Sequence, residues 1–248
     1  MQTRDLVDYT GRLLEVSRFR DYCPNGLQVE GRAETRKLAT GVTASLAFLE
    51  RAIAAGADTV LVHHGYFWKN EPVEITGPRK ARLALLLRND MNLVAYHLPL
   101  DAHSDLGNNA ALARRLDLGV QGWFGDQGIA AWGAPNGLLT LGAFAAIVEE
   151  RLARRPLVIG SPERPLRRIA WCTRGAQDLL ADAVELGVDA FLTGEASERT
   201  VHLSRETGVA FLAAGHHATE RYGVQALGVH LADRFGFEHV FLDEDTPV

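Results

Sequence analysis

The chain carries nine histidines, and six of them fall in three clusters directly after short apolar runs. His63 and His64 follow Leu61-Val62, and His97 precedes Asp101 and His103. His216 and His217 precede Glu220, while His202, His230 and His239 lie elsewhere. Imidazoles mixed with carboxylates are the donor set of Fe, Mn, Zn, Co or Ni rather than of Ca or Mg. On a regular strand, neighbouring side chains point to opposite faces, so one ion can hardly take both His63 and His64. Where the strand gives way to Gly65, the two rings could reach two adjacent ions. Asp101 or Glu220 could then bridge them, as carboxylates do in sites with ions about 3.5–4 Å apart. A dinuclear centre accommodates this ligand count better than a mononuclear one. His97 reads either as a hydrogen-bonding partner of a ligand or as a packed residue, and His103 and His217 read as supporting residues. Glu195, in Thr193-Gly194-Glu195, could be a carboxylate near the metals, a general base, or a residue that favours a helix start by its charge. Asp21 to Gly31 forms a loop of turn residues with few core candidates.

Short apolar runs predict strands near Leu38 to Thr43, Thr59 to Val62, Leu93 to Tyr96, Arg168 to Thr173, Ala190 to Thr193, Val209 to Ala213 and Val240 to Leu242. Helical spacing lies between them, for example Leu46, Leu49, Ala52 and Ile53, then Phe144, Ile147, Val148 and Leu152. Strands alternating with helices predict an α/β protein with a largely parallel sheet.

The run from Leu38 to His64 also aligns without a gap on Ile169 to Glu195. Gly56 meets Gly187, Asp58 meets Asp189, and Leu61 meets Leu192. Leu93 to His97 lines up in turn with Leu212 to His216, and each of these histidines is followed four residues later by a carboxylate. The expected fold is two duplicated, intertwined α/β repeats with mixed, largely parallel sheets and a metal site in the crevice between them. The first repeat is placed at residues 1–120 and the second at 121–248, together forming one compact structural unit. Leu118 to Leu141, rich in Gly, Trp and Pro, reads as a link that breaks the pattern.

The 248 residues are 47% hydrophobic and carry a net charge of −5. No Lys/Arg-rich stretch offers an electrostatic grip on nucleic acid, which is therefore disfavoured as a partner. Two cysteines without metal-type or redox-type spacing fit a reducing compartment. No apolar run approaches the roughly 20 residues needed to cross a membrane, and a cytoplasmic location is expected.

Pro24-Asn25-Gly26-Leu27-Gln28, Val62-His63-His64-Gly65, His97-x-x-x-Asp101, Thr193-Gly194-Glu195 and Gly215-His216-His217-x-x-Glu220 occur in one fixed order. As a set they resemble the NIF-three-like family of dinuclear-metal proteins, whose bacterial members are often labelled GTP cyclohydrolase 1 type 2 homologues. The resemblance covers essentially the whole chain. It implies two divalent metal ions per chain (Fe, Zn or Mn), held by His63, His64, Asp101, His216 and Glu220. His97 matches a further histidine of the family pattern. The resemblance also implies a toroidal homohexamer, a trimer of dimers. One departure stands out. The family commonly has His-Thr-Asn before the metal carboxylate, whereas this chain reads His97-Leu98-Pro99-Leu100-Asp101. The spacing is kept, but any substrate contact made by the Thr and Asn is put in doubt.

Two functions suit such a centre. One is a metal-dependent hydrolase acting on a small molecule or nucleotide, in which His97 or Glu195 moves protons. The other is a non-enzymatic metal carrier, chaperone or scaffold ring. Five or six protein ligands across two ions leave coordination positions open, which favours the enzyme. No glycine-rich phosphate loop of the Walker type is present, so a triphosphate site is not visible in the sequence.

Overall fold

The computed structural model describes all residues from Met1 to Val248. It divides into two compact units, Met1–Leu100 with Val224–Asp245, and Asp101–Gly223 with Thr246–Val248. Each is built on a mixed, open sheet with helices packed against it.

In the first unit, strands Lys37–Thr43, Thr59–His64 and Asn92–Ala95 run parallel. Gly26–Val29 lies antiparallel along one edge, and Glu238–Phe241 lies parallel along the other. The central strands read as almost unbroken apolar runs because both of their faces are covered; Leu38, Val60, Val62 and Leu93 are all fully buried. Phe48 and Leu49 of helix Leu46–Ala54 pack onto them. The Ser45 hydroxyl starts that helix by accepting the Phe48 N–H at 3.0 Å.

In the second unit, strands Ile169–Trp171, Ala190–Thr193 and Ala210–Ala213 are parallel. A hairpin of Leu118–Phe124 and Ala130–Pro135 extends one side, and Leu157–Ile159 closes the other in the antiparallel sense. Leu141, Phe144, Trp171, Leu192 and Leu212 form the core.

The duplication read from the sequence extends to individual hydrogen bonds. The Asp58 carboxylate accepts the N–H groups of Arg36 and Lys37 at 2.9 and 3.2 Å. Its counterpart Asp189 accepts those of Arg167 and Arg168 at 2.7 and 2.9 Å. Gly56 and Gly187 both take left-handed conformations, φ +75° and +67°, where the preceding helix ends.

Two sequence readings change. The strand register sets Leu93 against Val60 and Phe211 against Phe191, so Leu93 corresponds to Phe211 rather than to Leu212. The second half therefore holds one extra residue before its histidine. Gly215, at φ +98°, takes it up in a conformation that side chains rarely adopt. The segment expected as an irregular link contains the hairpin. Its glycines mark close packing: a Cβ on Gly133 would overlap the Gly119 carbonyl, and one on Gly122 would meet the Trp132 indole.

Candidate metal-binding groups

In the first unit, His63 and His64 are the last two residues of strand Thr59–His64. His63 is fully buried, and its Nδ1 lies 2.9 Å from the Tyr96 carbonyl oxygen. That contact makes Nδ1 the protonated nitrogen and Nε2 the one available as a ligand. Nδ1 of His64 lies 3.2 Å from the Thr43 hydroxyl. The ring centroids of His63 and His64 are 4.7 Å apart, and His97 is 5.0 and 5.8 Å from them. One ring nitrogen from each of the three lies within 4.8 Å of the others, so the group could hold an ion.

The loop from Asp21 to Gln28 holds this cluster in place. Asn25 Oδ1 accepts the His97 N–H at 2.7 Å. Asp21 contacts the His97 Nδ1 at 2.7 Å and accepts the Leu98 N–H at 2.9 Å. Gln28 donates to the Pro24 carbonyl at 2.8 Å and accepts the Tyr66 N–H at 2.7 Å. It lies so close over Gly65 that a Cβ there would overlap its side-chain amide. The Trp68 ring stands edge-on to His97, with centroids 4.9 Å apart. Burial raises the pKa of Asp21, but the hydrogen bond and charge of His97, with Asn25 and the Tyr22 N–H, bring it down to about 2. The sequence singled out this loop but assigned it no task; its Asp and Asn were the signal.

In the second unit, Asp101 and Glu220 are both fully buried. Asp101 Oδ1 accepts hydrogen bonds from the Asn108 amide at 2.9 Å and from the Thr173 hydroxyl at 3.3 Å. Arg174 Nη1 is 3.7 Å from Oδ2. His216 begins the helix His216–Phe235. Its Nδ1 is 2.6 Å from Glu195 Oε1, and its Nε2 is 3.2 Å from Glu220 Oε2, one helical turn on. A donor oxygen of Asp101 lies within 4.8 Å of one on Glu220. Burial works against charging the His216 ring, yet Glu220 and Glu195 outweigh it and raise its pKa to about 9. Metal uptake at this ring would therefore displace a proton.

Glu195 stands two residues before the Ser197 cap of helix Glu198–Thr207, outside its first turn. Its carboxylate serves His216 rather than the helix start. His103 turns inward on its own loop, where Nδ1 accepts the N–H groups of Asp105 and Leu106 at 3.2 and 3.0 Å. Asn108, Thr173 and Arg174 were not singled out in the sequence, because nothing in their spacing distinguishes them from ordinary loop and strand-end residues. Both cysteines are free and buried. Burial, with the nearby Asp21 charge, pushes the Cys23 thiol up to about 12, and burial also raises Cys172.

Imidazoles, once the ligating nitrogen is free of its proton, and water-excluded carboxylates are donors that suit a divalent transition metal, and hydrogen bonds to their far sides fix their orientation. The fold and these donors define an α/β protein with His/Asp/Glu groups able to bind metal. The chain belongs to the Duf34/NIF3 (NGG1p interacting factor 3) family, whose sequence model matches residues 1–247. It is 52% identical to a protein of Neisseria meningitidis serogroup B named GTP cyclohydrolase 1 type 2 homolog, over 98% of both chains. The Escherichia coli K12 protein of the same name is 46% identical over the full length of both. Among solved structures, protein ybgI, described as of unknown function, superposes with a TM-score of 0.96 at 46% identity over 100% of both chains. TTHA1606 from Thermus thermophilus gives 0.91 at 36% identity, again over 100% of both.

Proposed function

We propose that the chain holds two divalent transition-metal ions through His63, His64, Asp101, His216 and Glu220. We further propose that it is a metal-dependent hydrolase similar to the relatives named GTP cyclohydrolase 1 type 2 homolog. The observation that carries this reading is the donor set itself. Histidine nitrogens gather within 4.8 Å at the ends of adjacent parallel strands, and two fully buried carboxylates in the other unit have donor oxygens equally close. When bound, paired ions activate water as a nucleophile and clamp the group under attack.

The residues of the chain have distinct tasks in this scheme. His63, backed by the Tyr96 carbonyl, and His64, backed by Thr43, present oriented nitrogens. Asp101 is held by Asn108 and Thr173. Glu195 fixes the His216 ring, and this is the role assigned to it in place of general base. His97 accepts or returns a proton at Nε2. The substrate is a small molecule or nucleotide with a bond open to hydrolysis. The assembly is proposed to be a homohexamer.

The test is metal content per chain on protein purified without chelator or affinity tag, followed by hydrolysis assays on nucleotides and phosphoesters. About two transition-metal equivalents, with turnover abolished by a chelator, is the expected result. Two equivalents with no turnover on any substrate would overturn the hydrolase and leave a metal carrier. Little or no metal after reconstitution would overturn the centre.

A further inference from the structure

The hydrogen bonds that hold His97 come from a segment distant in the chain. Four groups converge on the Asp21 carboxylate. His97 Nδ1 and the Tyr22 N–H meet Oδ1 at 2.7 and 2.6 Å. The Leu98 N–H and the Asn25 amide meet Oδ2 at 2.9 and 2.8 Å. The Asp21 side chain is only 4% exposed and that of His97 7%, so water does not compete for the contact. A carboxylate accepting this many donors is ionised, and the His97 nitrogen facing it must carry a proton.

The second unit contains a comparable arrangement. Glu195 takes His216 Nδ1, leaving Nε2 for Glu220. In the repeat alignment, Glu195 occupies the place of His64. The first half uses that place for an imidazole, so its orienting carboxylate has to come from elsewhere. Asp21 comes from the N-terminal loop, 76 residues before His97.

We infer that Asp21 is a positioning residue that fixes His97 as the Nδ1–H tautomer and presents its Nε2 lone pair to the cluster of His63 and His64. The service of that lone pair to bound metal or substrate rests on the function proposed above; the tautomer itself does not. With Asn at position 21, the side chain has one acceptor oxygen instead of two. Keeping the Leu98 and Asn25 bonds on that oxygen gives up the Tyr22 bond and turns an N–H toward His97 Nδ1, which then becomes an acceptor while the proton moves to Nε2.

The experiment is long-range proton–nitrogen NMR on the metal-free full-length chain labelled in its histidines, with the His97 signals assigned from a His97→Gln spectrum. The wild type should show a protonated Nδ1 and a bare Nε2 at His97. Asp21→Asn should reverse the two, so that Nδ1 loses its proton and Nε2 carries it. Asp21→Glu should restore the tautomer. A wild-type His97 protonated at Nε2 would overturn the inference without any variant needing to fold. So would an Asp21→Asn protein that melts lower but keeps the wild-type tautomer, because Asp21 would then only anchor its loop. The expected tautomers in a chain that takes up no metal would support the positioning role and overturn the metal centre alone.

Discussion

His63, His64, Asp101 and His216 are each backed by a neighbour with its own hydrogen bond, and this predicts different effects from different substitutions. His64→Ala or Glu220→Ala removes a donor atom, so metal content measured by elemental analysis should fall sharply. The far-ultraviolet circular dichroism should stay close to wild type, because His64 ends its strand and alanine is a strong helix former within the helix that carries position 220. Glu195→Gln keeps the size of the side chain but weakens its grip on His216 Nδ1, now 2.6 Å away. Metal should still bind, with affinity reduced about 10–100-fold in a competition titration. Full occupancy in His64→Ala and Glu220→Ala would mean that the donors have been misassigned. The histidine clusters were legible in the sequence because pairs of histidines after apolar strands are rare by chance. Their hydrogen-bonding partners were much less so. Asn108 and Thr173 act by hydrogen bonds over 7 and 72 residues of chain, and no local pattern encodes such a link.

The elements are held in register by places where no side chain fits. A Cβ on Gly194 would lie 2.6 Å from the Arg174 carbonyl oxygen and 2.7 Å from the His216 Cα. Both neighbours are backbone, so Gly194→Ala must push the start of helix His216–Phe235 away from the strand ends. A loss of about 1–3 kcal/mol in denaturant unfolding is expected, together with reduced metal content. Strand Glu238–Phe241 predicts an effect of pH. His239 packs against Gly228, and its Nε2 lies 2.8 Å from the Thr40 hydroxyl. Burial lowers its pKa below the ordinary value. The unfolded chain therefore takes up this proton more readily, and stability is lost as pH falls through about 6.5 toward the folded value. His239→Gln should flatten the fall of the melting temperature below about pH 6.5; an unchanged slope would assign that loss to another group. The parallel strands were readable as apolar runs. The hairpin of Leu118–Phe124 and Ala130–Pro135 was not, because its glycines resemble linker composition while they serve close backbone packing.

At the scale of the whole molecule, the repeat was the most informative sequence feature, since it predicted matching strands, glycines and aspartates in both halves. It could not show that residues 224–245 return to the first unit, because the helix that carries them is continuous from His216 to Phe235. No helix is long and apolar enough to cross a membrane. In the second unit, the outer strand Leu157–Ile159 is a sheet edge that leaves Leu157 and Val158 substantially exposed. The proposed hexamer predicts a light-scattering mass near six times 27.1 kDa, and a mass near 27.1 kDa would rule it out. The two buried thiols bear on how such an assembly can be studied. Alkylating reagents attack thiolates, and burial keeps both cysteines protonated and covered. The native protein should therefore take up no maleimide, and should take up two equivalents once denatured. Leu138, fully exposed, could then be changed to cysteine to give one reactive handle per chain without first removing a native residue. Spin labels attached there would report distances between copies directly in solution.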